Sequence, residues 1–309
     1  TEEGTLREIR LNQLRVGNWL DASARLAAGG RSGTLAVSID GGLLDLRSLP
    51  ARSKAGGTDR RAGGPVNLSL DTVVVSDGIV LSPFVGQIAP SNGGIDGDFE
   101  ARLSGRTLVQ GALAPARGGT GLRVRAADAG GVLRDAGLTP NGRGGSLVLV
   151  MTPVAGAAPG TYDGEFLIED MSLADAPVLA GLLNAISVVG LLDELGGSGI
   201  RFDTIDGAFR LTPERATLKR FAAVGPSLGI SAAGVYDPVE KEMDMQGVVS
   251  PIYFVNGIGS LFSRRGEGLF GFNYRLSGPT DSPTASVNPL SILTPGMFRD
   301  IFRQPVPTE

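Results

Sequence analysis

Gly225-Pro226-Ser227-Leu228-Gly229 spells G-x-S-x-G, the turn that in hydrolases lifts a serine nucleophile between a strand and a helix. Such a serine needs a base, and the chain contains no histidine. A strand pattern follows where the helix should stand, so the segment reads as a turn between strands. Gly266-Glu267-Gly268-Leu269-Phe270-Gly271 matches G-x-G-x-x-G, whose last glycines normally open a helix over a pyrophosphate. Here they run into an alternating aromatic strand and read as the approach to a hairpin. Asp96, Asp98 and Glu100 alternate as calcium ligands do, but Ala101 stands where the loop requires glycine and Thr107 where it requires a bidentate glutamate. Asp163, Glu165, Glu169, Asp170 and Asp175 form the densest acidic patch. A pair among them could serve glycoside chemistry if the distance were right; solvated strand edges explain the same cluster.

The absence of both cysteine and histidine removes thiol nucleophiles, disulfides, Cys/His metal sites and every imidazole relay. No catalytic residue emerges, and neither an enzyme activity nor a cofactor or metal is expected. The formal net charge is −4, which offers no basic surplus for nucleic acid. The sequence opens at Thr1 with no signal-peptide pattern and reads as a mature piece of something longer.

The elements that would position any site are mostly strands. Ile205, Phe209 and Leu211 share one parity, with Asp206, Ala208 and Arg210 on the other; Phe270, Phe272, Tyr274 and Leu276 alternate with Gly271, Asn273, Arg275 and Ser277. Similar runs recur along the chain, separated by glycine-containing turns, which favours antiparallel sheet over βαβ units. Glycine supplies 47 of 309 residues, roughly twice the usual share. A Gly-x-Phe device recurs at uneven intervals: Gly97-Asp98-Phe99, Gly164-Glu165-Phe166 and Gly207-Ala208-Phe209. Helical periodicity predicts a nearly all-apolar helix over 177–195 and shorter helices at about 253–262 and 295–302. Arg47, Arg52, Lys54, Arg60 and Arg61 lie among glycines in 47–65, which reads as a flexible loop.

The last third carries a resemblance. The run 221–234 (FAAVGPSLGISAAG), the run 243–253 (MDMQGVVSPIY), Asn256, the run 269–278 (LFGFNYRLSG), Val287-Asn288-Pro289-Leu290-Ser291 and Pro295-Gly296-Met297-Phe298-Arg299 stand in an order and spacing similar to the C-terminal region of the AsmA-like family, YhdP-type branch. Upstream, Asp175 to Leu183 and Gly199 to Asp203 fit the same pattern; within 1–140, Gly42 to Arg47 is the best anchor.

The resemblance implies a mainly β chain: an elongated, strongly curved antiparallel sheet, a β-groove with a few short helices, continuous over 1–309, with the family-like region at 145–302. It implies a periplasmic location in Gram-negative cells, an inner-membrane anchor upstream of this chain, and an apolar groove that conducts phospholipid toward the outer membrane. Phospholipid acyl chains are the expected partner, with inner- or outer-membrane proteins as further ones. On that reading Ile205, Phe209, Leu211, Phe270, Phe272 and Tyr274 are the candidate lipid-contacting residues, and Met297, Phe298, Ile301 and Phe302 the candidate membrane or partner contacts. The alternative is a non-conducting scaffold or regulator of outer-membrane assembly, which a groove filled by its own helix would favour.

Overall fold

The computed structural model describes residues 8–28, 35–49, 64–186, 189–251, 271–280 and 282–288. The expected helices at 253–262 and 295–302, Phe270, the docking candidates Met297, Phe298, Ile301 and Phe302, and all of the 47–65 loop but its ends fall outside them. The described chain is mainly β, with seventeen strands and three short α-helices. It divides into two compact units, one comprising 1–126 and 131–138, the other 127–130 and 139–309.

The first unit holds β1 (Glu8–Val16), β2 (Leu20–Ala28), β3 (Leu35–Asp45), β4 (Val66–Leu70), β5 (Thr72–Ser76), β6 (Ile79–Ser91), β7 (Gly94–Leu103), β8 (Thr107–Ala116) and β9 (Gly119–Ala126). Pairing is antiparallel except that β3 runs parallel to both β4 and β5. The mainly antiparallel sheet expected from the sequence is thus present, with these two parallel pairings inside it. Parallel neighbours need a crossover of a dozen residues or more, which 46–65 provides, so the stretch that reads as an idle linker is the connection the topology requires. At the kink opposite Asp71, Gly42 has φ +76°, and a Cβ there would collide with the Asp21 carbonyl; its N–H donates to Asp71 Oδ2 at 2.7 Å.

The second unit is an antiparallel meander of β10 (Gly142–Pro153), β11 (Tyr162–Leu173), β12 (Ile200–Leu211), β13 (Ala216–Val224), β14 (Leu228–Asp237), β15 (Glu242–Pro251), β16 (Phe272–Pro279) and β17 (Thr284–Asn288). Between β11 and β12 the predicted 177–195 helix is in fact two, α2 (Pro177–Ala185) and α3 (Val189–Gly196). α2 ends at Ile186, where the sequence turns from leucines to the poorer helix formers isoleucine, serine and valine. Proline at the first turn begins α2 without losing a needed N–H. α2 packs on α3 and on β17, α3 on β12. Ser227, in the β13–β14 turn, donates from its hydroxyl to Glu194 Oε1 at 3.2 Å. Leu179, Leu182, Leu183, Leu191 and Leu195 are buried, Leu183 completely. The helices therefore close the strand end shared by Leu173, Ile200 and Ser227.

α1 (Ala129–Asp135) escaped the sequence reading, because Gly130 and Gly131 resemble a turn. Its last residue is anchored in the first unit. The Asp135 side chain has no exposed surface and accepts from Arg106 Nε (2.8 Å), Thr107 N (3.2 Å) and Thr107 Oγ1 (2.7 Å). Burial alone would raise its pKa; the Thr107 and Arg106 hydrogen bonds outweigh burial and hold it below the ordinary value.

Candidate functional site: an uncharged sheet face

Directly opposed residues in an antiparallel pair share a face, so the registers sort every strand residue to one side or the other. In the second unit one such row runs Leu149, Phe166, Gly207, Phe221, Ala232, Gly247 and Tyr274 to Val287, crossing all eight strands. The parallel row Met151, Gly164, Phe209, Leu218, Gly234, Met245, Leu276 and Ala285 lies beside it on the same side. Neither row contains a charged residue. Ile205, Phe209, Leu211, Phe272 and Tyr274 all lie on this face, so the structure brings together every described member of the predicted set.

Strict alternation would fail on β13, where Leu218 and Phe221 are three apart. A bulge resolves it: Phe209 opposes Leu218 while Ala208 opposes Arg220, leaving Lys219 as the extra residue. Both apolar side chains thereby stay on one face and Lys219 and Arg220 on the other. Tyr274 brings a hydroxyl to the apolar side and satisfies it internally, donating to the Ser231 carbonyl at 2.9 Å.

The reverse face holds the charge. Asp163 accepts from Arg210 Nε (3.0 Å) and Nη2 (2.8 Å) and from Lys219 Nζ (2.6 Å). Arg220 pairs with Asp206, and Arg275 with Asp244 in a two-pronged bond of 2.8 and 2.6 Å. The bonds from Arg210 and then Lys219 push the Asp163 carboxyl down to about 2, which makes it a poor proton donor at neutral pH. Asp170 is paired to Arg201 at 2.9 Å. Two members of the acidic patch, Asp163 and Asp170, are thus held in ion pairs. Asp96, Asp98 and Glu100 sit on one side of a strand, β7, and no cluster of three metal-binding side chains exists among the described residues. Gly225 N–H donates to the Leu228 carbonyl at 3.0 Å, which fixes the G-x-S-x-G segment as a turn between β13 and β14.

The first unit repeats the pattern. Ala24, Ile39, Leu68, Gly86, Phe99, Gly111 and Val124 form an uncharged row across β2, β3, β4, β6, β7, β8 and β9. Its reverse carries Arg25, Asp40, Asn67, Gln87, Asp98, Glu100, Gln110 and Arg125, several of which line a shallow polar depression. The sequence reading missed this face. Its signal was present in Gly97-x-Phe99, whose ring is one of the face's largest side chains.

Both faces change along the strands. Leu70, Val73 and Leu103 in the first unit, and Ile205, Leu228 and Val249 in the second, are fully or almost fully buried. Ile39, Ile88, Phe99 and Leu113, and likewise Leu149, Phe166, Phe209 and Phe221, are only half-buried. Each half-buried residue leaves apolar area in water at about 25 cal/mol per Å2. Among the described residues no helix is long and apolar enough to cross a membrane.

Compared with family models, curated proteins and solved structures, the chain finds no match in any of the three.

Proposed function

We propose that the chain is a segment of a periplasmic lipid bridge, in which phospholipid acyl chains lie along the uncharged sheet face while headgroups stay in water. The observation that carries this is the sorting of side chains: an apolar face across all eight strands of the second unit and a like one in the first, half-exposed along part of its length, with the ion pairs of Asp163 with Arg210 and Lys219, Asp206 with Arg220 and Asp244 with Arg275 on the reverse. An ordinary two-layer domain covers such a face with a second layer. A hydrocarbon cover needs no hydrogen-bonding partners, and this face offers almost none. The resemblance of 145–302 to AsmA-like C-terminal regions supports the same reading, including movement between inner and outer membrane and an anchor upstream.

The test is native mass spectrometry with lipid extraction on the chain purified from a Gram-negative host. Phospholipid is expected to co-purify, and Phe209→Asp, folded by circular dichroism, is expected to lose it. A lipid-free wild type that also refuses photo-crosslinking to phospholipid would overturn the proposal. A non-conducting scaffold would then lead; the buried leucines of α2 and α3, which close one strand end with protein, already favour it locally.

A further inference from the structure

We infer that the glycines opposite the rings on the apolar face are spacers: they let the large side chains lie flat against the sheet and so set the clearance above it for an acyl chain. The inference rests on the lipid-path reading above.

Gly164 opposes Phe209 and Phe166 opposes Gly207 on β11 and β12. Each Gly-x-Phe segment therefore offers its ring to the other's glycine. A Cβ at Gly207 would stand 2.6 Å from two carbons of the Phe166 ring, and one at Gly164 would collide with three carbons of the Phe209 ring. Carbon atoms rest about 3.5–4.0 Å apart, so a ring must leave the sheet if either glycine gains a methyl group. In the first unit Phe99 opposes both Gly86 and Gly111, and its ring covers Gly111 while stacking on Phe84 at 5.0 Å and 25°.

Backbone conformation does not explain these glycines. Gly111, Gly164 and Gly207 lie inside strands with no left-handed φ, unlike Gly42. At Gly111 and Gly164 the nearest atoms a side chain would meet all belong to a neighbour's ring; at Gly207 the Arg220 carbonyl, at 2.9 Å, stands in the way beside the Phe166 ring. The device occurs in both units, in each on its own uncharged face, at half-buried rings. A ring standing up instead of lying down would intrude by several ångströms, about the width of a hydrocarbon chain. The occupant such a surface suits is an acyl chain, because a bound peptide strand would find no partners for its backbone N–H and C=O groups.

The experiment uses the full chain and a phosphatidylethanolamine bearing a diazirine in its acyl chain. Gly164→Ala, where the nearest atoms are all of the Phe209 ring, is expected to reduce crosslinking about tenfold at unchanged circular dichroism. Gly164→Ala combined with Phe209→Ala, which removes the displaced ring, is expected to regain most of it. Should Gly164→Ala fail to fold, Gly111→Ala with and without Phe99→Ala asks the same question in the first unit. Crosslinking of the wild type with no loss in the glycine variants, or loss without rescue in the double variants, overturns the spacer role alone. No crosslinking of the wild type overturns the lipid path and the spacer role together.

Discussion

Asp163 shows how individual charges serve this molecule. It is partly exposed, as are its partners Arg210 and Lys219, and exposed pairs of this kind are worth about 0–1 kcal/mol each. Their larger effect is to keep hydrated groups on one side of the sheet. The carboxyl has a folded pKa of about 2, below its ordinary value of 3.8, so its stabilisation is fully present above pH 4 and is lost as the pH falls toward 2. Asp163→Asn is therefore expected to be less stable than wild type at neutral pH, with the difference closing between about pH 4 and pH 2. Urea titrations at a series of pH values measure it; a difference that is constant down to pH 2 would refute the assignment.

Strands and helices differ in how openly the sequence announces them. Leu183→Ala, at a fully buried position of α2, should cost about 2–5 kcal/mol, read as a lower urea midpoint at unchanged slope. An effect under about 1 kcal/mol would mean that the helices are not packed as described. Period-two alternation at 205–211 and 272–276 was legible because each strand has one polar and one apolar side; that places Phe209 and Tyr274 on the apolar side of their own strands, and the register makes it a common face. The end of α2 was harder to see, since leucines continue the helical spacing on both sides and only the β-branched residues between them object. α1 was invisible because its stability comes from Asp135 reaching back to Arg106 and Thr107, a contact made across sequence distance. The parallel placement of β3 beside β4 and β5 has the same character: it depends on which strand the chain returns to, and local pattern is silent about that. Gly-x-Phe was visible as a repetition, but its meaning required the register.

At the scale of the whole molecule, the two faces make opposite demands on substitution. Val148 and Leu149 are neighbours on β10, both half-buried, and their partners Leu167 and Phe166 put them on opposite sides. Leu149→Glu is expected to destabilise the fold by about 2–3 kcal/mol and to abolish acyl-chain crosslinking. Val148→Glu should stay within about 0.5 kcal/mol and crosslink as wild type does. Equal behaviour of the two would dissolve the distinction between the faces on which the lipid path rests. The reciprocal pairing of Gly164 with Phe209 and of Phe166 with Gly207 adds a constraint that belongs to neither partner. What is held fixed is the volume of the pair. A ring and a vacancy can trade places across two strands, as in Gly164→Phe with Phe209→Gly, and leave the relief of the face as it was. The constraint on such a surface falls on sums taken across strands, and a pair tolerates an exchange that neither position tolerates by itself.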